Sequence, residues 1–175
     1  MSRVPRTLSA IALGSTIAAA ASAVHAQGVI NQPRLSAHLA NQVVGDTVAN
    51  CAQKKYNVWA VIVDLEGVRQ AVLRGNGAPI HSQDNAYYKA YASASLTLGR
   101  NEGSTHEVAQ RMAKAAPSNI PNTQLPNITY ARGGIAIRAA DGKIIGGLGV
   151  SGAPGGQFDE ECGQAALDKI KDQLK

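Results

Sequence analysis

IIGGLGVSGAPGG, residues 144–156, carries six glycines in thirteen positions. Its first half, Ile144 to Gly152, reads as a strand. Glycine weakens a strand, and where it recurs it marks close approach by a ligand or by another stretch of backbone. Two readings follow for Gly146, Gly147 and Gly149: they line a pocket, or they seat a tightly packed helix. Upstream, GGIAIRA (Gly133 to Ala139) and the turn ADGK complete a hairpin, with Asp141-Gly142 as its turn signal. Downstream, Gly152, Gly155 and Gly156 lead into a helix from Gln157 to about Leu174, whose first exposed amides suit an anion. Cys162, Ala166 and Ile170 recur there at four-residue steps and form its inward stripe.

A matching hairpin lies earlier in the chain. VWAVIVD (Val58 to Asp64) is an apolar, β-branched run of the kind buried on both faces, LEG is a turn, and VRQAVLR alternates as a second strand. Before it, Pro33 to Lys55 has the helical stripe Leu35, Leu39, Val43, Val44, Thr47, Val48, Cys51. After it, Ser82 to Leu98 reads as a helix with Ser82 as N-cap and Asp84 in its first turn. Ser104 and Glu107 form a capping box for a short third helix, and PSNIPNTQLPN (Pro117 to Asn127) reads as an extended loop. The order helix, two strands, two helices, two strands, helix predicts a single-domain α+β sandwich on an antiparallel sheet.

The first 26 residues stand apart. Arg3 and Arg6 precede an Ala-rich apolar run, and VHA ends it ahead of Gln27, which predicts a cleaved export signal and a periplasmic or secreted domain over residues 27–175. No other run is long enough to cross a bilayer, so no membrane span is expected after signal removal. The formal charge of +5 falls to about +3 without the two arginines, and the remaining cations are scattered among acids. Nucleic-acid binding needs a concentrated basic patch and is not expected. Cys51 and Cys162, each on an inward helical stripe, are either a disulfide, which an oxidising compartment favours, or two buried thiols.

Taken together, VIVDLEG, GAPIHSQDNAYYKAYASA and GGIAIRAADGKIIGGLGVSGAPGGQFDEECGQAAL resemble the GlcG/HbpS family of haem-binding-like proteins, related to the C-terminal domain of PduO-type proteins. The resemblance covers roughly the whole chain after residue 26. It implies an α+β fold around an antiparallel, about five-stranded sheet, with the fifth strand near Asn127 to Ala131. It also implies assembly into homo-oligomers and binding of haem, for storage, scavenging or sensing.

The candidate site residues cluster in two stretches. His81 stands at the start of the second helix, matching a histidine found in many family members. That end disfavours a cation, and neutral imidazole is the form that ligates iron, so His81 is the candidate haem-iron ligand. The plainer reading is a polar residue meeting water. Tyr87 and Tyr91, one turn apart, offer a flat wall or a phenolate ligand, or simply core packing; Tyr88 lies about a hundred degrees away. Lys89, in the Lys-Ala pair of the family pattern, is a candidate partner for a propionate, or a surface lysine. Gly147, Gly149 and Gly152 are expected across the pocket from these aromatics.

Two rival functions remain open. One is a small enzyme acting on a compact carbonyl or hydroxy-acid substrate, with Asp64, His81 and Lys89 as acid–base groups. The other is a subunit whose glycine-rich surface binds a protein partner.

Overall fold

The central layer of the computed structural model, which describes residues 28–119 and 123–175, is a four-stranded antiparallel sheet. Its strands are β1 (Trp59–Val63), β2 (Arg69–Arg74), β3 (Gly134–Arg138) and β4 (Ile144–Ser151), in the order β2-β1-β4-β3. Both predicted hairpins form. The two are joined through β1 and β4, where Val61 stands opposite Gly149 and Val63 opposite Gly147. The fifth strand expected at Asn127 to Ala131 is absent. That segment is irregular, with Asn127 at φ 62, and an isolated bridge from Ser104 to Ile135 borders the outer edge of β3 instead. The expected export signal lies outside the described residues.

Helices cover both faces. Helix α1 (Ala37–Gln53) and helix α4 (Gly156–Asp168) pack side by side on one face, over Ala60, Ile62, Ile135, Ile137, Leu148 and Val150. Helix α2 (His81–Leu96) lies across the other, where Ala86, Ala90 and Ala94 meet Val61 and Val63. The period-two alternation of the strands sorts these residues onto the two faces. Helix α3 (Thr105–Ala113) starts at Ser104, whose hydroxyl accepts from the Glu107 amide at 3.4 Å, while the Glu107 carboxylate accepts from the Gly103 amide. That is the predicted capping box with its return bond shifted one residue upstream. Among the described residues, no helix is long and apolar enough to cross a membrane.

Helix limits differ from expectation where local chemistry decides them. Helix α1 starts at Ala37 rather than Pro33, because the Ser36 hydroxyl caps it by accepting from the Leu39 amide at 3.3 Å. Helix α2 begins at His81, so Ser82 is not its N-cap; Ile80 occupies that place without a side-chain bond, and Ser82 is buried in the first turn. Helix α4 ends at Asp168, short of Leu174, and a 3-10 turn follows over Lys171–Gln173.

The inward stripes of α1 and α4 meet at Cys51 and Cys162, which form a disulfide with Cα atoms 5.4 Å apart across 111 residues of sequence. Asn50 reinforces the junction by donating to the Cys162 carbonyl at 3.2 Å. A bond closing so long a loop restricts the unfolded chain strongly. The double change Cys51→Ala with Cys162→Ala should lower the unfolding free energy by about 2–5 kcal/mol. The readout is a lower unfolding free energy extrapolated from urea curves, with a steeper slope because the unlinked unfolded chain exposes more surface; an unchanged extrapolated free energy would show that the bond adds no stability.

Candidate functional site

Gly147 and Gly149 of β4 face α2, and the helix fills the space they leave. A Cβ at Gly149 would stand 1.9 Å from the Ala86 carbonyl oxygen, one at Gly147 2.3 Å from that of Ala90, and one at Gly134 on β3 2.3 Å from that of Lys89. Of the two readings of the glycine stretch, the tight helix seat is the one that holds. Gly147 and Gly149 are closed by backbone, and the pocket expected between them and the tyrosines is occupied by α2 itself. Gly152 (φ +133) meets the Asn57 carbonyl oxygen 2.4 Å from a built Cβ, so it too serves chain packing.

Lys89 sits beneath α2, on the side towards β3 and α4, with its side chain 4 % exposed. Its ammonium donates to Asp159 Oδ2 at 2.8 Å and to the Val150 carbonyl at 2.9 Å. Asp159 Oδ1 accepts from the Ala153 amide at 3.0 Å. The pair therefore ties α2, the end of β4 and the first turn of α4 together, and Lys89 is committed inside the protein rather than presented to a ligand. Burial pushes the Asp159 carboxyl above the ordinary aspartate value, against the opposing pull of the Lys89 charge and of its hydrogen bonds.

Asp64 is also buried and committed. Its Oδ1 accepts from the amides of Glu66 at 3.1 Å and Val68 at 2.9 Å, closing the β1–β2 turn, while the Arg34 guanidinium lies 3.8 Å from Oδ2. His81 is exposed at the opposite end of β1, where Trp59 donates from its indole to the Pro79 carbonyl at 3.0 Å. The five residues of β1 separate the two ends by about 17 Å. Asp64, His81 and Lys89 thus occupy three separate places and do not form one acid–base centre.

The tyrosines mark a different surface. The Tyr87 hydroxyl donates to the Gly67 carbonyl at 3.2 Å, and the Tyr91 ring lies over Gly67, where a built Cβ would be 2.6 Å from it. Only glycine tolerates that contact at φ +77. The Arg69 guanidinium stacks on the Tyr87 ring, 3.6 Å from its centroid. Arg74, clamped to the Ala78 carbonyl by Nε at 3.1 Å and Nη2 at 2.8 Å, lies 5.4 Å from the Trp59 ring. Helix α2 packs over β4, β1 and β3 and leaves most of β2 uncovered. Val72, opposite Val61 in the ladder, therefore shows 40 % of its surface on the helix side of the sheet.

The result is a ledge beside α2. Trp59 and Val72 form its floor, Tyr87 its wall, and Arg69 and Arg74 its charged margin, with His81 at the Trp59 end. Along the helix, His81 and the exposed Tyr88, seven residues apart, share one face, while Tyr87 and Tyr91 point roughly a quarter to a third of a turn away. An apolar aromatic shelf with two guanidiniums at its margin fits a flat dianionic macrocycle on the flank of α2, but not beneath it, while His81 and Tyr88 present an imidazole and a phenol on the adjacent face of the helix. Open clefts lie elsewhere, among them one of about 700 Å³ beside Arg100, Arg111 and Lys114 and one of about 280 Å³ between β3 and α4.

Arg69, Arg74, Trp59 and Asp159 escaped the sequence reading. Asp159 was legible, since with Cys162 and Ala166 it continues the inward stripe of α4. The arginines carry no such signal, because alternation alone does not tell which face of β2 a helix leaves open.

Comparison with known proteins identifies the family and finds the same fold. A family model described as "Haem degrading protein HbpS-like" matches residues 35–168. The chain is similar to the crystal structure of HbpS, at 26 % identity and TM-score 0.71, over 82 % of this chain and 94 % of that one. It is similar to a Streptomyces reticuli HbpS double mutant at 28 % identity and TM-score 0.72, over 87 % and 98 % of the two chains. It is also similar to a PduOC:Heme complex at 27 % identity and TM-score 0.67, over 79 % and 96 %. The search of curated proteins found no match.

Breaking the buried pair on one side should be severe. Lys89→Met leaves the Asp159 carboxylate without its cation and should cost about 3–5 kcal/mol, while Lys89→Met with Asp159→Asn should recover a clear part of that loss. Equal losses in the single and double variants would show that the two side chains are uncoupled. The sign of the pH effect follows from the raised Asp159 value: the folded state holds that proton more tightly than the unfolded chain. Its contribution is fully present below the unfolded value of 3.8 and is lost as the pH rises through the raised folded value. The stability difference between the protein and Asp159→Asn, followed by urea unfolding, should shift in favour of the unmodified chain as the pH falls through that window.

Proposed function

Because the chain belongs to the HbpS-like family, we propose that it is an exported haem-binding protein that holds haem on the ledge beside α2. The observation that carries this reading is the uncovered face of β2, flanked by Tyr87 and edged by Arg69 and Arg74. Trp59, Val72 and Tyr87 would take the macrocycle face, and Arg69 would pair with a propionate. Arg69 is the freer of the two arginines for this task, since Arg74 is already clamped to Ala78. His81 would reach the iron from the start of α2, and Tyr88, on the same helix face, is the next donor along. Storage, scavenging and sensing all require this reversible binding step. Lys89, Gly147 and Gly149 enter the reading as the groups that fix the depth of α2, and therefore the position of Tyr87 and His81.

Export is supported by the charged and then Ala-rich segment that ends at Ala26, and by a buried disulfide, which suits an oxidising compartment.

Titration of hemin into residues 27–175 should give a saturable Soret shift. His81→Ala should move the band, whereas Arg69→Ala should leave its position and weaken the affinity by about tenfold, the scale of one charge-assisted hydrogen bond. A shift that ignores His81→Ala but changes in Tyr88→Phe would transfer the ligand role to the phenol. Absence of any saturable shift would sink the haem reading.

A further inference from the structure

The chain passes from β2 to α2 through the turn Gly75-Asn76-Gly77-Ala78, which the Ala78 amide closes by donating to the Gly75 carbonyl at 3.0 Å. Gly77 stands at φ +74, the left-handed conformation that such a turn needs at its third residue. Asn76 and Gly77 are exposed, and Asn76 is the only asparagine of the sequence that precedes a glycine. Among the described residues, neither the Asn76 side chain nor the Gly77 amide has a hydrogen-bond partner. The Gly77 nitrogen can therefore approach the Asn76 side-chain carbonyl carbon with no side chain of its own in the way and no acceptor holding it back.

We propose that Asn76 is a site of spontaneous deamidation at the margin of the ledge. The Gly77 nitrogen, after losing its proton to hydroxide, attacks Asn76 Cγ and closes a five-membered succinimide ring. The Cγ–Nδ2 bond breaks, and Nδ2 takes up a proton and leaves as ammonia. Water then opens the ring. Opening at Cγ leaves aspartate, whereas opening at the backbone carbonyl of residue 76 leaves isoaspartate, with the chain routed through the side chain. One water enters, one ammonia departs and nothing is oxidised.

The β3–β4 turn supplies an internal contrast. Asp141-Gly142 is open to the same ring closure, but there the Gly142 amide donates to the Ala139 carbonyl at 2.9 Å. Asp141 Oδ2 pairs with the Lys143 ammonium at 2.8 Å, and Oδ1 accepts from the Lys143 amide at 3.0 Å. These bonds hold the Asp141 carboxyl below the ordinary aspartate value, so it stays ionised and resists attack. The structure protects one glycine turn and leaves the other open.

The turn also anchors two groups of the ledge, and this part rests on the proposed haem reading. Arg74 clamps the Ala78 carbonyl, and Trp59 donates to the Pro79 carbonyl. Aspartate at position 76 sets a new carboxylate two residues from Arg74, and isoaspartate also adds a methylene to the backbone between Gly75 and Ala78. Either product disturbs the clamp, and its negative charge opposes a carboxylate-bearing ligand at this margin.

The first test needs no haem. Residues 27–175, held in mildly alkaline buffer and mapped by peptide mass spectrometry, should convert at Asn76 ahead of every other asparagine, with Asp141 unchanged. Asn76→Gln should abolish that conversion, because its longer side chain closes no five-membered ring. Conversion at Asn76 no faster than elsewhere, or isoaspartate forming equally fast at Asp141, overturns the proposal. Hemin titration of the converted protein, separated by ion exchange, should show binding about two- to fivefold weaker than that of the unmodified chain, the scale of one exposed charge interaction. Equal affinity overturns the link to the ledge. Absence of binding by both forms removes the haem reading instead and leaves the modification site standing.

Discussion

Helix α2 rests on the sheet backbone to backbone. Carbonyls of Ala86, Lys89 and Ala90 occupy the space where side chains of Gly149, Gly134 and Gly147 would stand. A helix normally rides on a layer of side chains; here that layer is kept over β1, by Val61 and Val63, and is missing at these glycines of β4 and β3, where the small residues Ala86, Ala90 and Ser93 complete the fit from the helix side. Close packing forgives little at such a contact, because the intruding atom would meet backbone rather than a side chain able to turn away. The depth at which α2 sits then determines the reach of every side chain it carries.

Lys89 illustrates the effect. At this depth its ammonium meets the Val150 carbonyl and Asp159, so one ion pair ties helix, strand and the opposite layer's α4 at a single point. A buried pair of this kind adds little net stability by itself, since desolvation offsets the attraction, but it penalises strongly any arrangement in which the partners separate. It works with the glycine seat: the seat admits the helix, and the pair discourages sliding along it. On the other face the disulfide does similar work for α1 and α4, where packing is between side chains and tolerates more variation.

Much of this was legible in residue periodicity. The four strands, both hairpins and the meeting of Cys51 with Cys162 follow from stripes and turn signals that local chemistry enforces. The fifth strand was not in the residues: Asn127 to Ala131 lacks alternation, and Asn127 adopts a left-handed turn conformation. The start of α2 was misplaced because Ser82 is a good cap by type, yet the chain buries it and begins the helix at His81. The glycines were recognised as marking a close approach, but two occupants satisfy that signal equally and only the position of α2 decides between them. Lys89 was read as a ligand group for a related reason. Its spacing of three from Ala86 and four from Ser93 places it on the buried side of the helix, and a lysine there needs an internal partner.

The same constraint shapes the ledge. A helix seated over β4, β1 and β3 leaves β2 open on that side, so the strand that would floor a ligand has β1 as its only neighbour in the sheet. What holds the ledge in shape is therefore the helix beside it. The Tyr87 hydroxyl donates to the Gly67 carbonyl and its ring carries the Arg69 guanidinium, while the Tyr91 ring lies over Gly67. These contacts tie the β1–β2 turn and the entry of β2 to α2. Their reach is fixed by the depth at which the glycine seat admits the helix, so the wall of the ledge and the packing under α2 depend on one contact.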